Sequence, residues 1–122
     1  MRQAGARKIK EEALTADTAF ENLSREQLKM GLADGSILLV DVREPNEFAA
    51  GHIPGAALNP LKSFDPKALP NVPGKRVVLS CRSGRRSLEA LTLAKRAGRG
   101  DVCAHYAGGF EDWSKAGEPV EV

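Results

Sequence analysis

The stretch Val77-Val78-Leu79-Ser80-Cys81-Arg82-Ser83-Gly84-Arg85-Arg86-Ser87-Leu88 decides how this chain folds. Val77 to Leu79 is a short apolar run of strand character, and Leu88 to Ala97 carries a helical pattern. Cys81 therefore sits where a strand ends, on a tight loop feeding a helix N-terminus. Backbone N–H groups in such a loop converge on one point, and the helix dipole adds partial positive charge there. Arg82, Arg85 and Arg86 raise the local potential further. These features favour thiolate over thiol, the condition for a reactive cysteine. The reading is of a loop built to hold negative charge on sulfur.

Outward from this loop, strands alternate with helices. Ser24 with Gln27 three residues on forms a capping box. It opens a helix with Leu28 and Leu32 on its inward face, and Gly35 ends that helix. Ile37-Leu38-Leu39-Val40 is a continuous apolar run, the mark of a parallel strand buried on both faces. A short helix is expected from Asn46 to Ala50, a short strand near Ala56 to Leu58, and a helical turn at Asp65 to Leu69. The strand Val77 to Ser80, the Cys81 loop and its helix follow. A strand at Val102 to Tyr106 and a helix at Phe110 to Lys115 end the chain. This order predicts an α/β domain with a mainly parallel central sheet of about five strands flanked by helices. In such sheets the ligand site lies beyond the carboxyl ends of the strands, so Asp41 and Arg43 should surface beside Cys81.

Composition narrows the classes of function. The chain has 122 residues, enough for one core. Its 18 Lys and Arg against 16 Asp and Glu leave a net charge of +2, and the basic residues gather in one loop rather than along a stripe. Nucleic-acid binding has no support from this. No run approaches the ~20 apolar residues of a membrane span. Residues 1–16 are charged and polar and are expected as a tail or a loosely docked helix. They carry no apolar stretch of a secretory signal. Cys103 is expected as a small buried residue in the last strand. A working thiolate at Cys81 fits a reducing cytoplasm.

Three ordered blocks resemble the rhodanese (sulfurtransferase) family. The loop Cys81 to Ser87 matches Cys-x-x-Gly-x-Arg-Ser. Asp41-Val42-Arg43, with Gly51-His52-Ile53-Pro54-Gly55-Ala56, matches the family's Asp-x-Arg and Gly-His-Ile-Pro-Gly-Ala elements. Gly108-Gly109-Phe110 with Trp113 matches its Gly-Gly-x3-Trp. The resemblance covers residues 18 to 120, implies a single rhodanese-like domain over 17–122, and leaves the N-terminal segment unaligned. Four residues separate Cys81 from Arg86. Related phosphatases and arsenate reductases use one more, making room for a tetrahedral oxyanion.

The resemblance implies a thiosulfate sulfurtransferase. Cys81 would be the nucleophile and form a persulfide. Arg82, Ser83, Gly84, Arg85, Arg86 and Ser87 would form the anion-binding loop, with Asp41 and Arg43 as a supporting frame. The implied partners are a small anionic sulfur donor, a thiol or cyanide acceptor, or an acidic sulfur-carrier protein. No cofactor and no metal is required, and a monomer is expected. A non-catalytic or sulfur-relay docking module is the alternative, and a phosphatase or arsenate reductase stands behind both. His52 is expected in a turn bonded to backbone, His105 without a catalytic role, and Phe110 and Trp113 in the core.

Overall fold

A computed structural model of the chain describes residues 20–122. The N-terminal segment 1–16 lies outside the described residues. Five strands form one sheet: β1 (Glu21–Leu23), β2 (Ile37–Asp41), β3 (Ala57–Leu58), β4 (Arg76–Ser80) and β5 (Ala104–Tyr106). Their spatial order is β1-β5-β4-β2-β3, and every pairing is parallel. Among the described residues four helices accompany them: α1 (Arg25–Asp34), α2 (Pro45–Ala50), α3 (Arg85–Arg96) and α4 (Gly109–Lys115). Two short 3-10 turns, Leu61–Ser63 and Pro66–Ala68, join β3 to β4.

Local chemistry accounts for the boundaries. The Gln27 amide donates to Ser24 Oγ at 3.1 Å while the Ser24 amide donates to Gln27 Oε1 at 2.8 Å, closing the expected box. The Asp65 carboxylate caps the turn at Pro66–Ala68 by accepting from the Lys67 amide.

The pleat sorts side chains into two cores. Ile37, Leu39 and Val78 face α1 and α4, where Leu28, Tyr106 and Trp113 pack. Val40, Val77 and Leu79 face α3, where Ala90, Leu91 and Ala94 pack. Burial of a Leu such as Leu79 or Leu91 contributes about 1.5–3 kcal/mol. The same alternation carries one residue past β4, so Cys81 joins the layer of Val77 and Leu79, against α3.

Several elements differ from expectation. The three residues of β1 include only one buried side chain, Leu23, so no hydrophobic pattern marks the strand. Main-chain pairing places it instead, with the Glu21 amide donating to Cys103 O at 2.8 Å. Strand β5 begins at Ala104 rather than Val102, and Cys103 is exposed rather than buried. Val102 and Ala104 on either side are buried, in the two different cores, while Cys103 between them is left exposed. Helix α3 begins at Arg85, three residues before the expected start, so half of the loop is helix.

Register brings the functional loops to one edge. Asp41 at the end of β2 stands directly beside Ser80 at the end of β4. The Ala107-Gly108-Gly109 turn leaves β5 at the same edge.

Candidate active site

Cys81 ends up as the acceptor for the first turn of α3. The opening amides of a helix have no partner within it. Here the Ser87 amide donates to Cys81 Sγ at 3.3 Å and the Gly84 amide donates to it at 3.2 Å. Gly84 makes this closure possible. Its φ is +94°, and a Cβ there would lie 2.5 Å from the Ala107 carbonyl oxygen. The sulfur thus lies at the focus of two N–H groups and a helix dipole, with Cys81 only 1% exposed.

The Gly108-Gly109-Phe110 block holds the loop from behind. The Phe110 amide donates to Cys81 O at 2.8 Å, and the Glu111 amide donates to Arg82 O at 3.0 Å. Gly109, at φ +65°, lets the two backbones touch. Trp113 is buried and donates from Nε1 to Pro119 O. Phe110 is only partly buried and lies 4.4 Å beneath the Arg43 guanidinium, so it lines a cleft as well as packing.

The arginines divide into two kinds. Arg43 grips both oxygens of Asp41, with Nε donating to Oδ1 at 3.1 Å and Nη2 to Oδ2 at 2.8 Å, and donates to Gly51 O at 2.7 Å, with both side chains buried. This pair ties the end of β2 to the Gly51-His52 turn. Arg86 makes a two-pronged contact with Glu47 at 2.7 and 3.0 Å. The Arg86 donors, helped by the Glu44 amide and opposed by burial, hold the Glu47 carboxyl down to about 2. Arg82, Ser83 and Arg85 are exposed at the rim. Among the described residues, neither Arg82 nor Arg85 makes an ion pair. Arg82, Arg43, Glu47, Phe110 and Glu111 border a cleft of about 390 Å³ beside the loop.

His52 keeps to its turn, with Nδ1 2.8 Å from Phe48 O and its ring stacked on Phe48. His105 does not fit its expected inert place. Its Nδ1 lies 2.7 Å from Ser87 Oγ and its Nε2 lies 2.7 Å from Asn22 Oδ1. Ser87 Oγ in turn lies 3.6 Å from Cys81 Sγ. Gly84 holds the N-cap position of α3, and the Ser87 hydroxyl bridges sulfur and imidazole. Burial pushes the His105 pKa below its ordinary value. The available signal was a polar residue in the middle of a strand buried throughout, between Ala104 and Tyr106. Asn22 lies in the strand that no pattern marked.

Comparison with known proteins agrees with this geometry. The chain is 43% identical over 85 residues to an uncharacterised protein of Synechocystis, a match covering 70% of this chain. It spans about half of that relative, 47% of its length. A thiosulfate:glutathione sulfurtransferase of Saccharomyces cerevisiae is 31% identical over 118 residues, which cover 85% of this chain and 82% of the relative. The structure of a human single-domain sulfurtransferase superposes with a TM-score of 0.64 at 32% identity, covering 77% of this chain and 95% of the human one. Residues 24–116 match the rhodanese-like domain family. That match takes in the Asp41–Arg43 frame, the Cys81 loop and the Gly108-Gly109 turn, and the chain belongs to the rhodanese-like domain family.

Proposed function

We propose that this chain is a sulfurtransferase, moving a sulfane sulfur from a donor such as thiosulfate to cyanide, a thiol or a protein acceptor through a persulfide on Cys81. The observation that carries the reading is the convergence of the Gly84 and Ser87 amides on Cys81 Sγ, in a loop with four residues between Cys81 and Arg86. The Saccharomyces and human relatives support the same reaction class by their names.

In the first step the Cys81 thiolate attacks the outer sulfur of thiosulfate. A sulfur–sulfur bond forms to Cys81, the donor's own sulfur–sulfur bond breaks, and sulfite leaves with the electron pair. The persulfide's terminal charge remains near the helix N-terminus. In the second step the acceptor attacks that terminal sulfur, and Cys81 leaves as thiolate. With cyanide the product is thiocyanate. Arg82 and Arg85 draw the anionic donor to the rim, while Asp41, Arg43 and Glu47 brace the loops from below. Ser83 is exposed beside them and meets the donor at the mouth. A cysteine buried to 1% exposure suits an acceptor that presents its reactive atom on a slender arm, as a thiol peptide or a carrier-protein terminus does.

On this reading residues 17–122 work as one domain and as a monomer, in a reducing compartment such as the cytoplasm. The test is thiocyanate formation from thiosulfate and cyanide, with a thiol acceptor in parallel. Turnover is expected from the wild type and none from Cys81→Ser. If neither assay gives turnover that depends on Cys81, the chain is a docking module instead.

A further inference from the structure

The polar chain behind Cys81 is more than packing requires. His105 is 4% exposed, and both of its ring nitrogens are engaged. An amide oxygen can only accept, so Asn22 Oδ1 fixes the proton on Nε2. The Nδ1 lone pair then faces Ser87, whose hydroxyl donates to it. The Ser87 oxygen keeps lone pairs for the Cys81 thiol, 3.6 Å away. All three contacts run in one direction, from thiol to hydroxyl to imidazole to amide oxygen.

We propose that Ser87, His105 and Asn22 form a proton relay for Cys81, in which His105 is the positioning residue that takes the thiol proton by way of Ser87. The inference rests on Cys81 being the nucleophile. The S–H proton moves to Ser87 Oγ as the Ser87 O–H proton moves to His105 Nδ1. Thiolate and imidazolium result, Ser87 now donates to the sulfur, and no other reactant is consumed. When the cycle returns Cys81 as thiolate, the same proton travels back.

The surroundings suit this role. His105 meets Asn22 from β1, Leu79 from β4 and Ser87 from α3, with the Cys81 sulfur beyond the serine. Burial alone lowers its pKa, and no charged group contributes to that shift. In the resting state at neutral pH the ring is therefore an uncharged acceptor. Once protonated it is bonded at both nitrogens and paired through Ser87 with the thiolate, so the buried charge is not isolated.

The test reads the relay without a sulfur donor: alkylation of Cys81 by iodoacetamide across pH, in a Cys103→Ser background so that one thiol reacts. His105→Gln, with His105→Asn as a second variant, keeps hydrogen bonding to Ser87 but takes up no proton. Near neutral pH both variants should alkylate about a hundredfold more slowly, the lower end for proton transfer by a placed base. The deficit should close at alkaline pH, where hydroxide removes the proton directly. Ser87→Ala should show the same deficit, and the double variant no more. A wild-type pH profile in both histidine variants would overturn the relay, as would a deficit that persists at alkaline pH, which marks a displaced loop. Alkylation that depends on His105 without any sulfur transfer would support the relay and sink the transferase reading alone.

Discussion

A methyl group at Gly109 tests whether the turn after β5 sets the geometry of the Cys81 loop. The residue's φ of +65° places it in the left-handed region, where an L side chain costs about 1–2 kcal/mol. A Cβ there would stand 2.4 Å from Arg82 O, 2.5 Å from the Arg82 carbonyl carbon and 2.6 Å from Cys81 O. All three are main-chain atoms of the active loop. Carbon contacts are comfortable only at about 3.5–4.0 Å, so one backbone must retreat by roughly 1 Å. Overpacking of this kind costs about 1–3 kcal/mol, which brings the expected loss for Gly109→Ala to about 2–5 kcal/mol. At about 4–8 °C per kcal/mol for a domain near this size, the midpoint of thermal unfolding should fall by roughly 8–40 °C. The retreat also stretches the Phe110–Cys81 and Glu111–Arg82 hydrogen bonds that hold the loop.

The control is Gly117→Ala. Gly117 has φ +78° but open space around its would-be Cβ, so it bears the backbone strain without the collision. Thermal unfolding of both variants separates the two contributions. Thiocyanate formation is then measured well below either midpoint. A displacement of about 1 Å at reacting atoms costs on the order of 100-fold in rate, so Gly109→Ala should lose about that much while Gly117→Ala keeps wild-type turnover. Equal stability losses in the two variants, or wild-type turnover in Gly109→Ala, would refute the idea that this turn positions Cys81.

Two further perturbations probe the charges. Glu47 titrates at about 2 in the folded chain against 4.5 for the free group, so its contribution is complete above pH 4.5 and is lost as pH falls toward 2. Glu47→Gln should therefore destabilise by about 1 kcal/mol near neutral pH, a value suited to a partly exposed two-pronged pair, and the gap to wild type in urea unfolding should shrink over that acid range. A gap independent of pH would show that the carboxylate's charge is not what matters. Arg82→Ala and Arg85→Ala should each raise KM for thiosulfate by about three- to tenfold with kcat little changed, and the effect should fade at high ionic strength. Unchanged KM in both would remove the anion-recruitment argument.

Much of this architecture was legible because it is local. The Ser24–Gln27 box, the continuous apolar run Ile37–Val40 and the strand-loop-helix around Cys81 are encoded within a few residues of one another. What was not legible is carried by contacts distant in sequence. The Asn22–His105 bond spans 83 residues, and the Arg86–Glu47 pair spans 39. No periodicity announces either. Strand β1 escaped notice because main-chain pairing, not side-chain burial, puts it in the sheet. The start of α3 was misplaced because Arg85-Arg86-Ser87 is polar for reasons outside the helix. Arg86 reaches Glu47, Ser87 reaches His105, and Arg85 faces solvent.

That first turn of α3 breaks a rule, and the break is informative. Cations at a helix N-terminus oppose the dipole, and α3 has no acidic residue in its first turn while carrying two arginines. Glu47, supplied by α2, offsets Arg86 and turns it into a neutral pair, as Asp41 does for Arg43. Arg85 has no such partner among the described residues, nor does Arg82. Net positive charge therefore stands at the rim, while the groups in direct contact with the sulfur are neutral dipoles, two amides and a hydroxyl. On the proposed mechanism this separation matters. A cation locked against the persulfide would stabilise it in the ground state and slow its release to the acceptor. Cations at the rim act on the donor and on departing sulfite instead. Local conflicts of this sort concentrate at functional sites, and here the conflict falls on the loop that carries Cys81.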